Sequence, residues 1–340
     1  MIARAVTFVG PRQVELRDET LAPPAPGQAL LRTRLSAISS GSEMLVYRGE
    51  APADLPADAT LTALPGNLAY PLRYGYASVA VVEQVGAPAE QAWIGRRTFA
   101  FQPHGSRFVS SLSDLHPIPD GVSDEEAVFL ANAETAVGLL HDSAPLAGER
   151  VVVWGQGIVG LLTTSLLAAL PLARLVTVDR YALRRNASLA LGAAAALDPA
   201  RPDLIEALRA ALSEDGADLT LELSGNPAAL DAALRSTGFA GRVVLGSWYG
   251  TKPVQLDLGG AFHRSHIRLL ASQVSRIDPA LTGRWTKERR LAFAWDWLAR
   301  LRPSAWITHR FDFESAGAAY ALLDQRPEDA LQVVLTYPDA

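Results

Sequence analysis

The sequence predicts an α/β fold, a doubly wound parallel sheet following an irregular all-β module, and three observations predict it. From Glu149 onward strand and helix signals alternate, with strands expected at Val151–Trp154, Leu175–Asp179, Ala195–Asp198, Leu219–Leu223, Arg242–Gly246 and Ile267–Ser272. Such alternation implies parallel strands joined by helical crossovers, with a ligand crevice at the carboxyl ends of the strands. Residues 1 to about 120 are instead rich in short alternating apolar runs, prolines and glycines, the pattern of short strands and turns. Finally, Val151-Val152-Val153-Trp154-Gly155-Gln156-Gly157-Ile158-Val159-Gly160 runs from an apolar strand straight into a helix through Gly-x-Gly-x-x-Gly.

Taken in order, Met1–Phe8 alternates as a strand does, and Ala29–Leu35, Ala77–Gln84 and Arg97–Phe101 continue the β module. His116-Pro117-Ile118-Pro119-Asp120-Gly121 is a turn-rich boundary, after which Ser123 and Glu126 form a capping box for a helix running to about His141. Beyond the glycines, Leu161–Leu170 is an apolar helix. After Ser272 the alternation stops: a helix at about Thr286–Leu301 carries Trp295 and Trp297, and a strand-helix-strand closes at Val333–Thr336. This C-terminal part is too short for a core of its own and is expected to fold back on the N-terminal module. The expected division is 1–144 for the β module, 145–274 for the parallel sheet and 275–340 for the return.

The glycine stretch has the chemistry of a nucleotide cradle. Gly155 permits the tight turn, Gly157 lets the backbone approach a pyrophosphate, and Gly160 lets the helix pack closely on its strand. Ile158 and Val159 open that helix, whose N-terminus faces the phosphates with its positive dipole end. Asp179, nineteen residues beyond Gly160, ends the second strand, where a carboxylate accepts both ribose hydroxyls of an adenosine and repels a 2′-phosphate. NAD is therefore the expected cofactor. Arg180, with Arg184 and Arg185 behind it, keeps NADP open, because a guanidinium there pairs with a phosphate, stacks on adenine or is simply solvated. The blander alternative makes the glycines a mere turn and Asp179 a helix cap; strand, glycines, helix, strand and acid at the required offsets favour the cradle. Ser224-Gly225, Ser247-Trp248-Tyr249 and Ser272-Gln273, at the ends of the fourth, fifth and sixth strands, are expected to complete the cofactor site.

Composition narrows the partners. With 340 residues the chain is long enough for two domains, and a net charge of −5 gives no basic face for nucleic acid. Lys252 and Lys287 are the only lysines, and cysteine is absent, which excludes disulfides, thiol nucleophiles and cysteine-ligated metals. The N-terminus lacks the apolar core of a signal peptide, so a cytoplasmic protein is expected. Val151–Val178 is apolar, but its glycines, Gln156, Pro171 and Arg174 break it into strand, helix and strand rather than a membrane span.

Ser36-Ala37-Ile38-Ser39-Ser40-Gly41-Ser42-Glu43, Gly75-Tyr76-Ala77 leading into Val81–Gly86, Gly95-Arg96-Arg97-Thr98 and the glycine cradle, in that order and spacing, resemble the medium-chain dehydrogenase/reductase superfamily of the zinc alcohol and sorbitol dehydrogenase type. The resemblance spans essentially the whole chain. It implies a Rossmann domain with a GroES-like β-barrel catalytic domain, hydride transfer to or from a small-molecule substrate, and a homodimer formed through the edge of the last Rossmann strand, Ile267–Ser272. A narrower likeness, to the branch containing the bacteriochlorophyllide hydroxyethyl dehydrogenase, lies in the Ile-Ser-x-Gly-Ser-Glu run.

The family's catalytic zinc takes a cysteine, a histidine followed by glutamate, and a third ligand in the helix before the cradle. Here those positions read Ser40, Tyr76-Ala77 and the neighbourhood of Ala131-Asn132-Ala133, and the four-cysteine structural lobe is missing. Hydroxyls do not supply the soft or imidazole donors that zinc prefers, so a metal-free member is expected. Without zinc another group must protonate the oxygen that gains charge. By the resemblance, Ser42 matches the Ser/Thr that touches the alcohol oxygen, Tyr76 points into the same cleft, and Thr135 matches a residue that contacts nicotinamide; Tyr76 serves equally as a packed aromatic. Glu134 is the nearest carboxylate in sequence. His104 is either a substrate donor or a loop-stabilising histidine. His263 and His266, three residues apart, read as solvated or interface side chains, and His116, His141 and His309 as structural. Three functions follow: a zinc-independent alcohol/carbonyl oxidoreductase using NAD(H), a reductase of an activated C=C bond or quinone, and a dinucleotide-binding protein without turnover.

Overall fold

The computed structural model describes residues 1–338. They pack as two compact units, Met1–Ala131 together with the described residues from Trp295 on, and Asn132–Ala294. Both divisions fall inside helices, at 131/132 and 294/295, and not at 144/145 and 274/275, where the alternation of strand and helix signals begins and stops. Such signals mark local structure, and packing decides which unit a residue joins.

The first unit opens with an antiparallel hairpin, β1 (Ile2–Gly10) and β2 (Gln13–Thr20). Strand β3 (Gln28–Ala37) leads to the short helix α1 (Ser42–Arg48), which stops at Gly49 in the left-handed conformation, φ 75°. Next come β4 (Ser78–Val85), β5 (Arg97–Ala100), β6 (Arg107–Ser111) and β7 (Leu115–Pro117). The Ser123–Glu126 capping box is present and opens α2 (Asp124–Ala127), but the expected single helix is broken at Val128–Phe129 before α3 (Leu130–Ser143).

The second unit alternates β8 (Arg150–Trp154), α4 (Ile158–Ala168), β9 (Arg174–Val178), α5 (Ala182–Ala190), β10 (Ala195–Leu197), α6 (Leu204–Leu212), β11 (Ala217–Glu222), α7 (Pro227–Ser236), β12 (Thr237–Leu245) and β13 (Arg268–Ala271). All six strands are parallel, in the order β10-β9-β8-β11-β12-β13. The two halves therefore wind outward from β8 and β11, and the switch point between them lies at the carboxyl ends of those strands. Central position explains composition: Val151–Trp154 is buried throughout, as a strand covered on both faces must be. At the edge, all four residues of β13 are exposed, Leu269 and Leu270 included.

Helix α8 (Lys287–Leu301) precedes β14 (Ile307–Asp312), α9 (Ala316–Gln325) and β15 (Gln332–Thr336), which belong to the first unit. β15 runs antiparallel to β3, with Val334 opposite Ala37, and extends one seven-stranded sheet. Phe313, Tyr320, Leu323 and Val333 share a core with Val6, Phe8, Ile38 and Met44, so the chain's two ends build one hydrophobic interior. No described helix is long and apolar enough to cross a membrane.

Candidate active site

In the second unit the three glycines are set by sterics. Gly155 has φ +87°, and a Cβ there would lie 2.6 Å from the backbone of Leu223 and Ser224. A Cβ on Gly160 would run into the Gly155 carbonyl oxygen. Gly157 caps α4 without a side chain, leaving the first N–H groups of that helix uncovered. Gln156 is buried beneath the turn, donating to the Gly155 carbonyl at 3.1 Å and accepting from Thr164 Oγ1 at 2.9 Å.

Asp179 is buried, and its Oδ2 accepts the Gln156 N–H at 2.7 Å while Oδ1 accepts the Tyr181 N–H at 2.8 Å. It thereby fastens the glycine turn to the end of β9, and the remaining lone pairs of each oxygen can still accept hydroxyls. The arginines behind it divide. Arg180 is exposed, its guanidinium 5.9 Å from the Tyr181 ring centre, and Arg184 approaches the same ring at 4.9 Å, near Gly157. Arg185 donates to the Asp179 and Arg180 carbonyls and pairs with Asp198 at 2.9 Å. Ser224 and Ser247 close a neighbouring cluster around Glu222, a wholly buried acid that sequence reasoning missed. Its carboxylate accepts the Ser224 N–H and hydroxyl and the Tyr249 hydroxyl at 2.8 Å, and Ser247 Oγ accepts the Gly225 N–H at 2.9 Å. Burial and then the Glu222 charge hold the Tyr249 phenol protonated. Ser272 is tied to Asp142 at 2.5 Å, and Thr135 is half-buried on α3.

In the first unit, three hydroxyls form a ring. Tyr76 donates to Ser39 Oγ at 2.8 Å and lies 2.6 Å from Ser42 Oγ, and the two serines are 3.3 Å apart. The proton order that satisfies all three is circular: Ser42 donates to Tyr76, Tyr76 to Ser39 and Ser39 to Ser42. Tyr74, which sequence reasoning also missed, stands edge-on to Tyr76 at 6.3 Å. The Tyr76 pKa lies above the ordinary phenol value, first through burial, with Glu43 and Asp58 adding to the rise against hydrogen bonds from Ser39 and Ser42. The ring is thus a set of neutral O–H donors throughout the neutral range.

Two candidate residues are turned inward. His104 is fully buried, with Nε2 2.9 Å from Glu43 Oε2 and Nδ1 2.7 Å from Ser36 Oγ, so both nitrogens are committed internally, which favours the stabilising alternative over the substrate donor. Glu134 is also buried: its Oε1 accepts Arg290 Nη2 at 2.7 Å and Nε at 3.2 Å, which makes it half of a structural ion pair, not an acid for the reaction.

A family model described as zinc-binding dehydrogenase matches residues 159–288. The Escherichia coli K12 protein YphC, a zinc-type alcohol dehydrogenase-like protein, is 29% identical over 263 residues, covering 75% of this chain and 69% of YphC. D-guloside 3-dehydrogenase from the same organism is 22% identical, over 95% and 96% of the two chains. In sequence the chain is thus similar to dehydrogenases of the zinc-type alcohol dehydrogenase kind. The crystal structure of the rspB alcohol dehydrogenase of E. coli CFT073, complexed with NADH, superposes on this chain with a TM-score of 0.78 at 19% identity, over 98% of this chain and 99% of that one, a likeness of fold.

The donor set of the ring is hydroxyl oxygen alone, which suits zinc poorly. Ser39, Ser42 and Tyr76 turn their oxygens toward one another as mutual donors and acceptors, and neutral hydroxyls are poor ligands for zinc. Among the described residues no three His, Asp or Glu side chains converge.

Proposed function

We propose that this oxidoreductase interconverts an alcohol and a carbonyl in a small or medium organic substrate, using NAD(H) and no zinc. The observation that carries the reading is the O–H ring in which Tyr76, at the family's histidine position by the resemblance, meets Ser39 and Ser42. The dinucleotide, when bound, supplies or accepts the hydride. Gly155, Gly157 and the open end of α4 would hold its pyrophosphate, and Asp179 its adenosine ribose. In reduction, Tyr76 or Ser42 donates to the carbonyl oxygen as the substrate carbon gains hydride. The donor is reprotonated through the next hydroxyl of the ring, which takes its proton from water, and in oxidation the proton retraces that path to water.

A second reading, reduction of an activated C=C bond or quinone, draws support from Glu43, a carboxylate buried close to the ring. A buried negative charge disfavours a full alkoxide nearby, and conjugated substrates spread the developing charge. One experiment tests both: protein stripped with chelator and checked for zinc is titrated calorimetrically with NADH and NADPH, then assayed on secondary alcohols, ketones and quinones. Tighter binding of NADH and zinc-free turnover of ketones is the expected result. Turnover of quinones alone moves the assignment to the second reading, and stoichiometric native zinc required for activity overturns both. Neither dinucleotide binding would leave a protein that does not use the cradle.

A homodimer is the expected assembly, supported by the exposed edge strand β13 with Leu269 and Leu270 outward. Light scattering should give close to twice 36.3 kDa, and a monomeric mass overturns the assignment.

A further inference from the structure

Around the O–H ring lies a second polar cluster, buried at Ser36, Glu43, His104 and Tyr320, that the proton path does not use. Glu43 follows Ser42 on α1 and is wholly excluded from solvent. Its Oε1 accepts the Ser39 backbone N–H at 2.8 Å, while its Oε2 accepts the Tyr320 hydroxyl at 2.5 Å and faces His104 Nε2 at 2.9 Å. Behind His104, Ser36 Oγ is 2.8 Å from the Tyr337 hydroxyl. One proton order satisfies every member: Tyr337 donates to Ser36, Ser36 to His104 Nδ1, and His104 Nε2–H and Tyr320 O–H to Glu43.

The cluster meets the ring at two points. Glu43 holds the backbone of Ser39, one of the three hydroxyl residues. His104 lies under the turn that carries Tyr76: Gly75 has φ +133°, and a Cβ there would stand 3.0 Å from His104 Nε2. A carboxylate buried without partners costs several kcal/mol, so the three donors fix Glu43 in one place, and Glu43 in turn fixes what it touches.

We propose that Glu43 and His104 are positioning residues, which hold Ser39 from one side and the Gly75–Tyr76 turn from the other and so keep the hydroxyl ring in its donor geometry. This rests on the oxidoreductase reading for its kinetic consequence, though not for its structural one. The groups facing Tyr76 are Glu43 from α1, Asp58 from the 49–77 connection, and Tyr74, with His104 and Tyr320 facing Glu43. Both carboxylates raise the phenol pKa, in line with a site that keeps its proton to donate.

The test uses the full chain labelled with 13Cζ-tyrosine, the Tyr76 resonance being identified by its loss in Tyr76→Phe. His104→Ala should displace or broaden that resonance and lower kcat roughly 10²-fold, the scale of a misplacement near 1 Å, while NADH affinity stays at the wild-type value. His104→Gln, whose amide nitrogen reaches the same Glu43 oxygen, should restore the resonance and most of kcat. Glu43→Gln, which keeps the shape and removes the charge, should also move the resonance, and it decides the matter if His104→Ala does not fold. A Tyr76 resonance and kcat unchanged in both variants, with only thermal stability reduced, overturns the proposal. If the wild type turns over no substrate, the oxidoreductase reading fails, and the resonance alone decides the positioning role.

Discussion

Replacing Tyr76 by phenylalanine is expected to lower turnover about 10²- to 10³-fold while leaving the affinity for NADH unchanged. The phenol oxygen is the one group bonded to both serines, at 2.8 Å to Ser39 and 2.6 Å to Ser42, so its loss breaks the ring at two bonds and not one. The ring carbons remain, and with them the packing, which separates a proton donor from an aromatic filler. The cradle residues belong to the other compact unit and should not register the change. Because burial, Glu43 and Asp58 raise the Tyr76 pKa, the reductive rate of the wild type should show no loss through neutral pH, and its fall should begin only above the usual tyrosine range. Steady-state kinetics with a calorimetric NADH titration checks both halves. Turnover of Tyr76→Phe within twofold of wild type would make the phenol a filler and pass the donor role to Ser42.

What could be seen in the sequence was whatever is encoded locally. The central parallel strands showed as apolar runs because a strand covered on both faces has no polar alternation to hide it. The cradle showed because turn, close approach and helix packing each demand glycine at a fixed offset. The surroundings of the site did not, because their partners are remote: His104 meets Glu43 across 61 residues and Tyr320 meets it across 277. No periodicity links such positions. Taken alone, a histidine beside a cleft-lining strand looks like a donor, and only its two occupied nitrogens show that it faces inward. Tyr74 escaped for a simpler reason: two residues before a motif tyrosine, it reads as one more aromatic of the core.

The same remoteness governs the second large effect, at Arg290. Its guanidinium reaches Glu134 across 156 residues and also donates to the Val274 carbonyl at 2.5 Å, with both side chains of the ion pair almost wholly buried. Arg290→Met should therefore cost about 3–5 kcal/mol, because it leaves the Glu134 carboxylate without its counter-charge in a site that water does not reach. For a unit of this size that corresponds to a fall in unfolding temperature of roughly 6–20 °C. Glu134→Leu combined with Arg290→Met should recover much of the loss, since two apolar side chains do not carry the desolvation cost that one orphaned charge does. Calorimetric scans of the single and double variants make the comparison. A double variant as unstable as Arg290→Met alone would show that the guanidinium's grip on Val274, and not its charge pair with Glu134, is what the second unit depends on.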